Sequence, residues 1–299
     1  MFSGLSAFPL TPMSEDGIDE ASFSTLMKRL VEARVDSIGV LGSTGSYAYL
    51  TRAERLRITQ LAVEQAQDIP VMAGIGALRT SHALALADDA QQAGAAAVLL
   101  APISYQALTD EEVFNLYETV TRNLSIPLCV YDNPTTTHFN FSDELHGRIA
   151  RLPQVRSIKI PSINVPADPE AARTRIDHLR TLIPEHVTIG ISGDASAATG
   201  LNAGCDIWYS VIGGLFPKTA LAITRASQSG NLHEATRLSE QLKPFWALFS
   251  QCGGSVRVIA AAAEMLSLAH SPSLPLPLQS IDGAKRAQLA RLLKEMELG

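Results

Sequence analysis

The sequence predicts an α/β protein: a (β/α)₈ TIM barrel followed by a C-terminal three-helix extension. Three observations lead there. A short apolar run followed by a longer amphipathic segment recurs eight times between residues 5 and 228, and such alternation implies parallel strands with crossover helices. The eight units fill about 225 residues, which matches this barrel in number and size. After residue 229 the strand-like runs stop and only helical periodicity continues. A barrel domain is therefore expected over 1–229 and a helical domain over 230–299. A doubly wound open sheet shares the alternation but more often has fewer strands.

Strands are expected at 5–10, 37–41, 70–74, 96–100, 127–131, 155–160, 188–192 and 206–211. Helices are expected at 20–33, 52–67, 81–93, 110–123, 143–151, 169–182, 195–203 and 217–228. Thr51 with Glu54 reads as a capping box, and Ser142 as an N-cap. The extension reads as helices at 232–248, 256–268 and 281–298, with a proline-rich loop at 270–278.

Hydrophobic residues make up 46% of the chain and charged residues 18%, so a sizeable core is available. The net charge of −6 with no basic cluster argues against nucleic acid and anionic membranes as partners. Met1-Phe2-Ser3-Gly4-Leu5 lacks the features of a signal peptide. No stretch approaches the roughly 18 apolar residues of a membrane span. Cys129, Cys205 and Cys252 are odd in number and form no CxxC, which speaks against a disulfide framework or zinc site. A cytoplasmic enzyme without metal or cofactor is the expectation.

In such a barrel, chemistry sits at the C-terminal ends of the strands and in the loops that follow. Of six lysines, only Lys159 falls on a barrel strand. Alternation places it on one face with Ser157 and Val155, and Ile158 and Ile160 on the other. An amine buried there has a depressed pKa and can act as a nucleophile near neutral pH. The competing reading is a buried ammonium paired with a carboxylate from another strand, since no acid flanks Lys159.

A Schiff-base lysine needs a proton shuttle. Tyr131 ends the preceding strand, with Cys129 on the same inward face, and Thr44 in the loop after the second strand could relay its proton. A core tyrosine with a satisfied hydroxyl is the plain alternative for Tyr131. Gly42-Ser43-Thr44-Gly45 offers backbone N–H groups and two hydroxyls that suit a carboxylate, although the same run also makes a common tight turn. Gly74-Ile75-Gly76 lacks a third glycine and reads as a turn, as does Gly213-Gly214. The histidines show no metal-binding spacing.

Gly42-Ser43-Thr44-Gly45, Tyr131-Asp132-Asn133-Pro134, Ile158-Lys159 and Ser192-Gly193-Asp194 occur in an order and spacing that resembles the dihydrodipicolinate synthase/N-acetylneuraminate lyase family. The likeness runs from Phe8-Pro9-Leu10-Thr11-Pro12 to the C-terminal helices. It implies a metal-free class I aldolase, usually a homotetramer built as a dimer of dimers. It implies that Lys159 attacks C2 of pyruvate or of a 2-keto acid containing it, and that an aldehyde is co-substrate or product. Ser43 and Thr44 would hold the carboxylate, and Tyr131 would shuttle protons through Thr44. Tyr105 is the nearest match to a tyrosine that reaches the neighbouring subunit's site. In the synthases an arginine follows the catalytic tyrosine and binds the carboxylate of aspartate semialdehyde; by position it is Thr136 here, and a glycine becomes His138. The loop glutamate after Gly45 becomes Ser46, and Pro161, Pro166 and Pro169 stiffen the segment after Lys159. Thr136, His138, Gly193, Asp194 and Ser210 are then candidates to meet a hydroxylated second substrate. A 2-keto-3-deoxy sugar acid dehydratase or aldolase, or an N-acetylneuraminate lyase-like enzyme, is the alternative within the enzymes. A catalytically inactive barrel with a binding or regulatory role is the alternative outside them.

Overall fold

The structure, a computed structural model, describes residues 1–296 and 298. Eight parallel strands form a closed barrel: β1 (Gly4–Ala7), β2 (Ser37–Val40), β3 (Val71–Gly74), β4 (Ala97–Leu100), β5 (Leu128–Tyr131), β6 (Val155–Ile160), β7 (Thr188–Ser192) and β8 (Ile207–Ser210). β8 pairs with β1, Trp208 beside Leu5, and closes the ring. The barrel leaves no sheet edge unpaired.

Two apolar layers follow from alternation along the strands. Outward residues such as Leu5, Ile38, Val98, Val130, Ile158, Ile191 and Trp208 join the helices in one continuous core. Inward, Met72, Ala97, Leu99, Cys129 and Ile207 form a second cluster with Phe8, Tyr131 and Tyr209.

The pairing of β5 with β6 skips a residue. Leu128 pairs with Val155, but Cys129 pairs with Ser157. Arg156 is the extra residue of a bulge. The bulge corrects the expected face of Val155, which joins the outer core, while Ser157 and Lys159 point inward. It also sets Tyr131 beside Lys159.

β1 is shorter than the expected 5–10. The Phe8 N–H still reaches the Ser210 carbonyl at 2.9 Å, but Pro9 has no N–H with which to continue the ladder. A small hairpin, Met13–Ser14 with Gly17–Ile18, follows in the same loop. The expected capping box at Thr51 and Glu54 is formed, and Thr109 with Glu112 makes a second.

Among the described residues, the C-terminal extension contains four helices rather than three: Leu232–Gln241, Lys243–Gln251, Val256–Met265 and Gly283–Glu295. Pro244 divides the expected 232–248 helix, because its missing N–H and its ring cannot sit in a helix interior but suit a first turn. Leu232–Gln241 packs along Pro217–Gln228 and Ala197–Asn202. The connector before the last helix returns to the barrel's first loop, where His270 Nδ1 lies 2.7 Å from Asp19 Oδ2 and Leu276 N–H donates to Glu15 at 3.0 Å. Among the described residues, no helix is long and apolar enough to cross a membrane.

Candidate active site

Lys159 projects into the barrel near the C-terminal end of β6 and is 4% exposed. Its Nζ lies 4.1 Å from the centroid of the Phe8 ring, 4.0 Å from that of Tyr131 and 5.6 Å from that of Tyr209. Among the described residues, no carboxylate forms an ion pair with it. Aromatic faces replace part of the lost hydration of an ammonium but not all of it. Burial therefore pulls the Lys159 pKa down to about 8, with the Cys129 thiol and the Asp194 carboxylate opposing the shift.

The aromatic cage depends on missing side chains. A Cβ on Gly39 would overlap the Phe8 ring, and one on Gly190, the β7 neighbour of Lys159, would overlap Tyr209. Tyr209 is held by a 2.6 Å hydrogen bond with Ser157.

Tyr131 shares the chamber. Its hydroxyl lies 3.2 Å from Ser43 Oγ and accepts from Asn133 Nδ2 at 3.0 Å. Burial pushes its pKa up to about 12, against the hydrogen bonds of Ser43 and Asn133. Ser43 is thus the hydroxyl brought to Tyr131. Thr44, expected as the relay, is buried beside it, and no hydrogen bond joins it to Tyr131 among the described residues. Successive side chains of a turn point different ways, so only one of the pair can face the phenol. Leu41, with φ of 58°, adopts a left-handed conformation rare for leucine and starts the chain reversal that presents Ser43. The N–H groups of Thr44 and Gly45 donate to no protein acceptor among the described residues.

The remaining candidates divide. Thr136 is exposed at the mouth, where its Oγ1 accepts from Asn133 Nδ2 at 2.6 Å. His138 is also exposed, closing the one-turn helix Pro134–Thr137 in a left-handed conformation. Gly193, with φ of 91°, lets the β7 loop pass against Ser162 of the β6 loop. Asp194 is buried and already satisfied. It accepts from Trp208 Nε1 at 3.0 Å, Ser210 Oγ at 3.2 Å, Val211 N at 3.1 Å and Ile212 N at 2.7 Å. Ser210 in turn accepts from Gly213 N at 2.8 Å. Asp194 and Ser210 therefore tie the end of β7 to the end of β8 and leave little capacity for a substrate hydroxyl. Burial still pushes Asp194 up to about 6 despite those donors. Tyr105 is 92% exposed and makes none of the contacts around Lys159 within its own chain.

Two features were not legible beforehand. Asn133 enters the sequence reading only as part of the Tyr131-Asp132-Asn133-Pro134 motif, with no role of its own. Asp132 and His146 form a buried pair behind Tyr131, with Nε2 3.5 Å from Oδ2. Burial pushes Asp132 up to about 7 and His146 down to about 4. At neutral pH the imidazole is uncharged, so this contact is not an ion pair. Phe141 stacks on His146, and Asn164 of the β6 loop donates to Asp132 at 3.2 Å. Among the described residues, no group of three His, Cys, Asp or Glu is placed to hold a metal ion.

Lysine, tyrosine and serine thus meet at the C-terminal mouth of a closed barrel. A model of the dihydrodipicolinate synthetase family matches residues 1–296. The chain belongs to that family. Similar proteins include the 4-hydroxy-tetrahydrodipicolinate synthase of Persephonella marina, 28% identical over 100% of this chain and 99% of the relative. That of Hyphomonas neptunium is 29% identical over 97% and 96%. The dihydrodipicolinate synthase structure from Agrobacterium tumefaciens is 47% identical, with a TM-score of 0.93 over 98% of this chain and 97% of that one. The chloride-inhibited Acinetobacter baumannii enzyme, solved with pyruvate, is 25% identical with a TM-score of 0.88 over both full chains. Membership in the dihydrodipicolinate synthetase family makes the protein a class I enzyme, a Schiff-base-forming lyase or synthase of the aldolase type.

Proposed function

We propose that Lys159 forms a Schiff base with pyruvate, or with a 2-keto acid that contains it, and that Tyr131 and Ser43 move the protons. One observation carries this reading: an amine without a carboxylate partner among the described residues is buried beside a phenol that is itself linked to a hydroxyl at the mouth. The neutral amine attacks C2. Tyr131 gives a proton to the developing alkoxide, and the carbinolamine loses water to form the imine. Loss of a C3 proton gives an enamine whose C3 adds to an aldehyde, and the reverse sequence cleaves the same bond. The Thr44 and Gly45 N–H groups and the Ser43 hydroxyl are the carboxylate's seat, which fixes C2 over Lys159.

The second substrate is read from the mouth. The turn after Tyr131 presents Asn133, Thr136 and His138 and carries no guanidinium. Amide and hydroxyl groups fit hydroxyls better than a carboxylate, which favours a sugar-derived partner over aspartate semialdehyde. Tyr105 completes the site of a neighbouring subunit in a homotetramer, which accounts for its exposure in a single chain. The test is condensation of pyruvate with aspartate semialdehyde set against cleavage of N-acetylneuraminate and 2-keto-3-deoxy sugar acids. Turnover of a hydroxylated substrate at least tenfold above the semialdehyde is expected. The reverse ranking would overturn the assignment of the second pocket. Loss of water from a keto-deoxy acid without C–C cleavage would instead identify the dehydratase.

A further inference from the structure

Asn133 occupies the N-cap of the Pro134–Thr137 turn, yet its side chain makes no capping hydrogen bond. Asparagine is among the preferred capping residues. The Asn133 carbonyl is engaged in the turn, where it accepts from Thr136 N at 3.1 Å, Thr137 N at 3.0 Å and Thr137 Oγ1 at 2.9 Å. The carboxamide instead turns back into the chamber. Its Nδ2 lies 3.0 Å from the Tyr131 hydroxyl, 3.3 Å from Ser43 Oγ and 2.6 Å from Thr136 Oγ1.

An amide NH₂ only donates. Its two protons go to the two shorter contacts, Thr136 Oγ1 and the Tyr131 oxygen, so the Tyr131 oxygen has one lone pair occupied. The phenol's own proton is left to point at Ser43 or at a bound substrate. Thr136 fixes the rotation of the amide plane from the other side. The geometry points to Asn133 as a positioning residue that holds the Tyr131 hydroxyl as a hydrogen-bond acceptor and so aims its proton at the Ser43 and substrate side. Donation to the phenolic oxygen also stabilises the phenolate over the phenol, which offsets part of the effect of burial. This inference rests on the Schiff-base reading above, because the aimed proton is the one the carbinolamine needs.

The experiment is timed borohydride trapping with pyruvate across a pH series, read by intact mass, in wild type, Asn133→Val, Asn133→Ser and Asn133→Asp. Thermal melts run alongside to verify folding. Asn133→Val removes the donor and is expected to slow imine formation about tenfold, with half-saturation by pyruvate changed less than twofold. Its alkaline limb should move to higher pH, a change that a merely structural role would not produce. Asn133→Ser keeps a short donor and should recover part of the rate, and it serves as the test if the valine variant does not fold. Asn133→Asp offers only acceptor oxygens and should be slowest. Wild-type rate and pH profile in Asn133→Val, or an aspartate variant as fast as wild type, would overturn the donor role while the Schiff-base reading stands. No adduct in wild type would overturn both.

Discussion

The Lys159 ammonium is desolvated by three aromatic rings and, among the described residues, has no carboxylate to pair with, so its proton is weakly held. The sign of the effect is fixed. Its pKa falls from 10.5 to about 8 on folding, so the unfolded chain binds more protons between those values. Stability should therefore rise with pH from about 8 to 10.5, and the rate of imine formation should rise through about pH 8 as the amine deprotonates. Lys159→Met removes the buried charge. It should abolish activity yet raise stability at neutral pH by on the order of 1–3 kcal/mol, measured by chemical denaturation at pH 7 and pH 10. The gain should shrink at the higher pH. Tyr131→Phe should lower turnover by about 10²-fold or more, as expected when a positioned proton donor is lost. Ser43→Ala should lower turnover more than Thr44→Val does, and equal effects would contradict the proposed relay through Ser43. Lys159 and Tyr131 were legible because strand alternation dictates where their side chains point. The choice between Ser43 and Thr44 was not, because side-chain direction in a turn follows its dihedral angles rather than a period. Asp194 was expected to meet a substrate hydroxyl, and only the fold reveals the four donors that occupy it.

At the scale of elements, two aspartates at the N-terminal ends of strands stitch the barrel. Asp36 accepts from Leu5 N at 2.7 Å and forms a two-pronged pair with Arg225, both bonds 2.8 Å. Asp206 accepts from Ile189 N at 2.8 Å and from Arg180 at 2.9 Å. Both lie at the end of the barrel away from Lys159, where residues serve stability rather than chemistry. Asp36→Ala and Asp206→Ala should each cost about 1–3 kcal/mol in urea unfolding, because each strands a backbone N–H and unpairs an arginine. Imine formation with pyruvate should remain within about twofold of wild type, and a large loss would show that the two ends are coupled. Apolar patterning predicted the strands well, but not their irregularities. The bulge at Arg156 and the stop at Pro9 are settled by pairing across the barrel, to which a single segment is blind. Pro244 was visible in the sequence, and the continuous amphipathic pattern around it hid the break.

For the whole molecule, eight strand–helix units dictate a closed parallel barrel, and closure brings residues as distant as Ser43, Tyr131, Lys159 and Tyr209 into one chamber. Chain order and count carried that much in advance. What a neighbouring copy contributes is not encoded in periodicity, and within its own chain Tyr105 is exposed. Sedimentation should show a tetramer, and Tyr105→Phe should lower turnover while leaving the assembly intact. The central claim is that the buried amine of Lys159 is the nucleophile. Incubation with pyruvate and borohydride, followed by intact mass and peptide mapping, tests it most directly. A single reduced adduct on Lys159, absent from Lys159→Ala, is the predicted result. No adduct with any 2-keto acid, or an adduct on a different lysine, would contradict it.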